Sequence, residues 1–209
     1  MTTSSSQATE FRETLASEAG DYEATIDVEA IERLSEYYVL LSNWNARLHL
    51  VAPCPPREFA KRHVLESLML LPHLPEAATV ADIGSGAGLP IIPCLIARPD
   101  INATLIESSK KKAVFLREAL NLAGISDSAT VIAERFEDIQ APEVDLITCR
   151  ALDRFEAKLP DLIKWSPPQS TLLLFGGESL RDQLLKLDLN LTEVLVPNSQ
   201  RRFLFVIDG

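Results

Sequence analysis

Between Asp27 and Asn45 the apolar side chains Val28, Ile31, Leu34, Tyr37, Tyr38, Leu41 and Trp44 recur at three- and four-residue steps, the spacing of one face of an α-helix. Asp27 stands where an N-cap carboxylate accepts a backbone N–H of the first turn. A shorter helix is predicted over Glu10 to Ala19, and a third over Arg57 to Leu71, after the breaks at Pro53, Pro55 and Pro56. Residues 1–74 thus read as a Thr- and Ser-rich tail followed by a helical cap.

After Pro75 the period changes. Thr79 to Ile83, Ala103 to Glu107, Ala129 to Ala133, Val144 to Cys149 and Thr171 to Phe175 are short β-rich runs. Between and after them Pro90 to Ala97, Lys111 to Ala123, Arg154 to Trp165 and Ser179 to Leu187 carry helical patterns. Strands alternating with helices predict an α/β fold with a doubly wound, mostly parallel sheet. Leu191 to Val196 and Arg202 to Ile207 are joined by too few residues for a crossover, so they predict a C-terminal antiparallel hairpin and bring the sheet to seven strands. Residues 75–209 read as one compact unit.

Composition narrows the class. The 209 residues are 46% hydrophobic and 24% charged, enough for a core, and no apolar run approaches the roughly 18 residues of a transmembrane helix. Met1 to Glu10 has neither a basic start nor an apolar run, so no secretory signal is expected and the cytoplasm is the default compartment. Cys54, Cys94 and Cys149 form no C-x-x-C pair, and His49, His63 and His73 are scattered, so no metal site is expected. Thirty acidic against 20 basic side chains, a net charge of −10, argue against a general nucleic-acid coat. They do not exclude a local basic face.

The first strand of the α/β part runs into Asp82-Ile83-Gly84-Ser85-Gly86-Ala87-Gly88-Leu89-Pro90, a Gly-rich turn that hands over to a helix which Pro90 would open. Such a turn lets backbone approach a ligand, and the helix N-terminus offers N–H groups to an anionic one. Glu107 ends the second strand 23 residues after Gly84, about where an acidic residue takes ribose hydroxyls. Leu89 stands where the dinucleotide fingerprint has its third glycine, which favours a reader of adenosine with an amino-acid tail over a pyrophosphate reader.

From these residues outward the chain resembles a known family. Trp44-Asn45, Arg62 to Leu68, Asp82 to Pro93, Lys111 to Glu118 (KKAVFLRE) and Arg150-Ala151-Leu152 are similar, the last three in this order, to segments of the bacterial small-subunit (16S) ribosomal RNA guanine-N7 methyltransferases, the glucose-inhibited division protein B family. The resemblance implies a class I (Rossmann-like) methyltransferase fold, S-adenosyl-L-methionine as cofactor, and methylation of guanine N7 in ribosomal RNA, free or in the small subunit. It also implies roles: Gly84, Gly86 and Leu89 along the methionine and ribose, Glu107 on the ribose, Phe136 and Glu137 on the adenine side, and Arg150 between cofactor and target as the catalytic candidate. His49-Leu50-Val51 departs from the family's Asn-Leu-Thr, and Gly176-Gly177 from its Lys-Gly.

The acceptor is read separately. Arg150-Ala151-Leu152 after the fourth strand lacks the Asn- or Asp-Pro-Pro-aromatic pattern of many amine methyltransferases, and Ser166-Pro167-Pro168-Gln169 follows a helix as a loop breaker. Cys149 is weighed as a nucleophile against a small buried thiol, and His63 as a general base against a packing or phosphate contact. Lys110, Lys111 and Lys112 open a helix, where the dipole disfavours cations, so a phosphate backbone is a candidate partner for them, with Arg57, Lys61, Arg62, Arg201 and Arg202, against a merely solvated face. The rival functions are methylation of a small molecule or protein, and a non-catalytic adenosine-binding module.

Overall fold

The computed structural model describes residues 5–150, 155–187 and 189–209. The N-terminal layer consists of α1 (Ser5–Glu18), α2 (Val28–Leu48) and a helix that starts as α3 (Pro56–Phe59), widens into a π-helical turn (Ala60–Leu65) and ends as α4 (Glu66–Leu68). The α/β part follows as β1 (Thr79–Ile83), α5 (Ile91–Ala97), β2 (Asn102–Ile106), α6 (Lys110–Leu122), β3 (Ala129–Ile132), β4 (Leu146–Arg150), α7 (Phe155–Trp165), β5 (Thr171–Gly177), α8 (Glu178–Leu184), β6 (Leu191–Leu195) and β7 (Arg202–Ile207). The strands form one seven-stranded sheet in the order β3-β2-β1-β4-β5-β7-β6. Strands β1 to β5 pair in parallel, and β7 pairs antiparallel with both β5 and β6, which is the expected hairpin.

Alternation along the strands feeds two apolar layers. Val80 and Leu105 face a cluster that runs without a break into Phe11, Leu34, Tyr37, Leu65 and Phe115, so the N-terminal helices and one face of the sheet share a core. Ala81, Ile83, Ile147 and Cys149 face the second cluster, under Leu159 and Leu162 of α7 and Leu180 of α8. Strands covered on both faces are buried along nearly their whole length, as β1 and β4 are. Helix α2 buries Leu34, Tyr37 and Leu41, and Phe11 stacks on Tyr38 with centroids 4.6 Å apart. Arg33 donates to the carbonyls of Ile96 (3.1 Å) and Ala123 (3.5 Å), at the C-terminal ends of α5 and α6 where a cation is favoured.

The differences from the sequence reading are local. The first helix begins at Ser5, five residues before the apolar pattern does. The third is interrupted by the π turn and stops at Leu68. Pro90 precedes the first helical residue of α5 instead of occupying it. Helix α8 stops at Leu184, leaving Leu185 and Leu187 exposed. Arg154, the expected first residue of α7, and Ala151-Leu152 lie outside the described residues. Among the described residues no helix is long and apolar enough to cross a membrane.

Asp27 accepts the Ala30 N–H at 2.7 Å and caps α2 as expected. Asp27→Ala is expected to cost about 1 kcal/mol of stability by leaving that N–H without its partner, read as a lower midpoint in urea unfolding.

Candidate active site

The order of the sheet reverses between β1 and β4, and ligands of open α/β sheets sit at such a point, beyond the carboxyl ends of the strands. A cavity of about 670 Å³ lies there, within the range of small-molecule sites. The ends of β1, β2 and β4, the turn after β3 and the loop after α2 contribute its walls through Ile83, Ile106, Arg150, Phe136 and Leu50. Gly84, Gly86, Leu89, Glu107, Phe136, Glu137, Arg150, His63 and Lys112 all line it, so residues picked from distant stretches of sequence meet in one place.

The Gly-rich loop is held from two sides. Glu107, 6% exposed, sits in the turn just after β2, where its Oε2 accepts the Gly86 N–H at 2.8 Å and its Oε1 the Ser109 N–H at 2.7 Å. Gly86 (φ 52°) and Gly88 (φ 81°) occupy the left-handed region, and a Cβ on Gly88 would run into the Ile92 side chain. From the helical layer the buried Tyr37 hydroxyl donates to the Ala87 carbonyl at 2.5 Å. The Gly84 and Ser85 amides bond the Ile106 carbonyl, and the Gly88 amide bonds that of Ser85. The amides of Gly84, Ser85, Gly86 and Gly88 are therefore spent inside the protein. The expectation that this turn offers free N–H groups to an anion does not hold for them.

The far wall is built from charge. Glu137 Oε1 accepts from Arg135 (3.0 Å) and Lys158 (3.1 Å), while its Oε2 is buried without a hydrogen-bond partner. Burial opposes ionisation of Glu137, but these cations hold its pKa down at about 2. Phe136 is buried edge-on to Trp165, with centroids 5.5 Å apart.

Arg150 lines the cavity, yet its two terminal nitrogens are directed into the helical layer. Nη1 reaches the His63 carbonyl (3.5 Å) and Ser67 Oγ (3.4 Å), and Nη2 reaches the Arg62 carbonyl and Glu66 Oε2 (3.3 Å). Its guanidinium lies 5.5 Å above the Phe175 ring centroid. Glu66, almost fully buried, takes Arg202 on its other oxygen. Burial, with the Arg150 charge alongside, depresses the His63 pKa to about 3, so its imidazole is neutral near pH 7.

The remaining candidate residues separate. Arg62 pairs with Glu58 at 2.7 Å and Arg201 lies 4.0 Å from Glu178, and neither they nor Arg202 line the cavity. Lys110 and Lys111 are exposed, Lys112 is half-buried on the rim, and none has an ion-pair partner among the described residues. Cys149 is fully buried within β4, opposite Ile83 and Leu174 in the ladder, which answers the nucleophile question in favour of a packed thiol. Sequence reasoning did not pick out Lys158, Arg135 or Leu50 to Ala52 as wall residues. Only the departure at His49-Leu50-Val51 drew attention to that stretch.

A seven-stranded sheet with one reversed strand, a Gly-rich loop after β1 and an acidic residue after β2 define the class I methyltransferase fold. A solved RNA methyltransferase from Salinibacter ruber shares it, with a TM-score of 0.57 at 17% identity over 76% of this chain and 94% of that one. The sequence profile of the rRNA small subunit methyltransferase G family matches residues 30–200, and the chain belongs to that family. Proteins named ribosomal RNA small subunit methyltransferase G from Sorangium cellulosum (36% identical over 77% of this chain and 70% of the relative) and Gluconobacter oxydans (41% over 69% and 71%) are among its relatives.

Asp82, fully buried on the sheet face it shares with Val80, has no hydrogen bond to either carboxylate oxygen, and burial raises its pKa to about 7. Its unfolded pKa is near 3.9, so between about pH 4 and pH 7 the folded protein binds more protons than the unfolded one and stability falls as pH rises. Asp82→Asn, which mimics the protonated acid, is expected to flatten that decline and to gain stability relative to the wild type at pH 8 but not at pH 4. Urea unfolding of both proteins across this range measures it.

Proposed function

We propose that the protein transfers the methyl group of S-adenosyl-L-methionine to N7 of a guanine in small-subunit (16S) ribosomal RNA, in the cytoplasm. The observation that carries this reading is the convergence, at the switch point of a methyltransferase sheet, of a Gly-rich loop whose amides are spent with carboxylates that still have acceptor capacity. Each Glu107 oxygen accepts one backbone bond and has room for another, which suits the two ribose hydroxyls. The buried, unpartnered Oε2 of Glu137 suits a donor such as the adenine amine, and Phe136 lines the same wall. Gly84, Gly86 and Leu89 are assigned to the methionine and ribose side. Membership of the family, and the names its relatives carry, support ribosomal RNA over a small molecule or a protein as acceptor.

When bound, S-adenosyl-L-methionine supplies a methyl group activated by the sulfonium. Guanine N7 has an in-plane lone pair and no proton, so the protein has no deprotonation to perform. Its work is placement, from which about 7 to 11 kcal/mol of barrier lowering is available. The reading gives Arg150 the place between cofactor and target and assigns it to fixing the wall that the target base meets, since its donors hold the segment carrying His63 and Glu66. Neutral His63 is assigned to packing, against the Phe59 ring 4.8 Å away.

Labelled S-adenosyl-L-methionine supplied with small-subunit RNA, followed by mapping of the labelled nucleotide, tests the assignment: label on guanine N7 supports it, and label on another atom, or only on protein or small molecules, overturns it. Glu107→Ala is expected to weaken cofactor binding by about ten- to a hundredfold, because a hydrogen bond to a charged acceptor contributes roughly 1.5 to 3 kcal/mol. Calorimetry on the folded variant reads it. The single-turnover rate is expected to stay flat from about pH 6 to about pH 8, and His63→Ala to keep the rate within about tenfold, where loss of a general base costs roughly 10²- to 10⁴-fold. A rate that rises with a histidine-like pKa and is abolished by His63→Ala would mean that the acceptor must lose a proton.

A further inference from the structure

Helices α2 and α6 lie antiparallel. Arg33, near the start of α2, reaches the Ala123 carbonyl just past the end of α6, and Trp44, near the end of α2, packs edge-on to Phe115 in the middle of α6, with centroids 6.1 Å apart. Beyond that contact α2 continues toward the start of α6, which carries Arg47 to the end of α6 that bears Lys110, Lys111 and Lys112. The chain leaving α2 turns directly into the cavity wall. Leu50, Val51 and Ala52 line the cavity together with Lys112, and Asn45 pins Val51 through two hydrogen bonds of 3.0 Å. Of the four cations Lys112 lines the cavity, and the register of the two helices puts Lys110, Lys111 and Arg47 on the same side of it.

Their charge is not neutralised. Arg47, Lys110 and Lys111 are exposed, none of the four has an ion-pair partner among the described residues, and the first turn of α6 holds no acidic residue. The side of the molecule bearing α3 and β7 is the opposite case. There Arg57 and Lys61 both bind Glu18 (2.9 and 2.5 Å), Arg62 binds Glu58 (2.7 Å) and Arg202 binds Glu66. In a chain with ten more acidic than basic residues, a run of unpaired cations at the start of a helix, against its dipole, is stabilised by an external anion.

We propose that the phosphate backbone of the RNA substrate runs over the α2–α6 rim, with Arg47 joining Lys110 and Lys111 as a phosphate contact, and that the α3–β7 side takes no part in holding it. The inference rests on the RNA methyltransferase reading and adds the route by which RNA reaches the cavity. It assigns a role to Arg47, and it withdraws the phosphate role from Arg62 and Arg202, whose charges are already used inside the protein.

The test uses the full chain and deproteinised small-subunit RNA, with filter binding across a salt series, methyl transfer, and calorimetry for the cofactor. Arg47→Ala is expected to lower the slope of log K against log salt by about one unit, and Arg47→Glu or Lys111→Glu to weaken RNA binding by about tenfold or more, with cofactor affinity unchanged. Arg201→Glu, at a residue that is also exposed but on the α3–β7 side, is expected to change RNA binding by less than about twofold. Methyl transfer by the wild type with an unaltered salt slope in Arg47→Ala, or an Arg201→Glu protein as impaired as Arg47→Glu, overturns the rim. Wild-type protein that binds RNA with an Arg47-dependent slope but transfers no methyl to it, either free or in intact small subunits, overturns the functional reading and leaves the rim standing. Wild-type protein that binds neither free RNA nor small subunits overturns both.

Discussion

The mouth of the site depends on one buried carboxylate. Glu66 of α4 is held between Arg150 at the end of β4 and Arg202 at the start of β7, so a single ion cluster joins the helical layer to two strands of the sheet. Burial raises the Glu66 pKa and the two guanidinium groups oppose that rise. Taking such a charge out of water is costly, and removing one partner of a buried pair typically costs about 3 to 5 kcal/mol, so each member constrains the other two. The π-helical turn belongs to the same device. Its Arg62 and His63 carbonyls are acceptors for Arg150, and local widening of a helix is a common way to aim backbone groups at a functional position.

The loop over the cavity is fixed with similar economy. Glu107 binds amides before and after itself in the fold, and Tyr37 takes the carbonyl between two glycines, so the loop needs no ligand to acquire its shape. That suits chemistry in which the acceptor atom already owns its lone pair and the protein contributes placement more than proton transfer.

Much of this was legible in the chain, for physical reasons that differ from residue to residue. Thr79–Ile83 and Arg202–Ile207 were bounded correctly because apolar strands flanked by breakers have sharp edges. Glu107 and the Gly-rich loop were found because their spacing reflects one βαβ unit, a local property. The Glu66–Arg202 contact joins residues 136 positions apart, and no local pattern encodes it. For the same reason Arg202 read as a free cation, whereas the Arg62–Glu58 pair is a local i,i+4 spacing that the helical pattern could have shown. Tyr37 read as core, which it is; its hydroxyl bond to Ala87, 50 residues away, belongs to the packing and not to the helical period. The π turn kept the apolar period of an ordinary helix well enough to pass as one.

The Tyr37 bond has a thermodynamic corollary. Tyr37 belongs to α2 and Ala87 to the Gly-rich loop, so displacing α2 costs the loop a buried hydrogen bond, and displacing the loop costs α2 the same bond. Linkage makes these two effects equal in free energy. The N-terminal layer is thus part of the cavity's own construction, because a hydroxyl buried in it holds the backbone between two glycines of the loop.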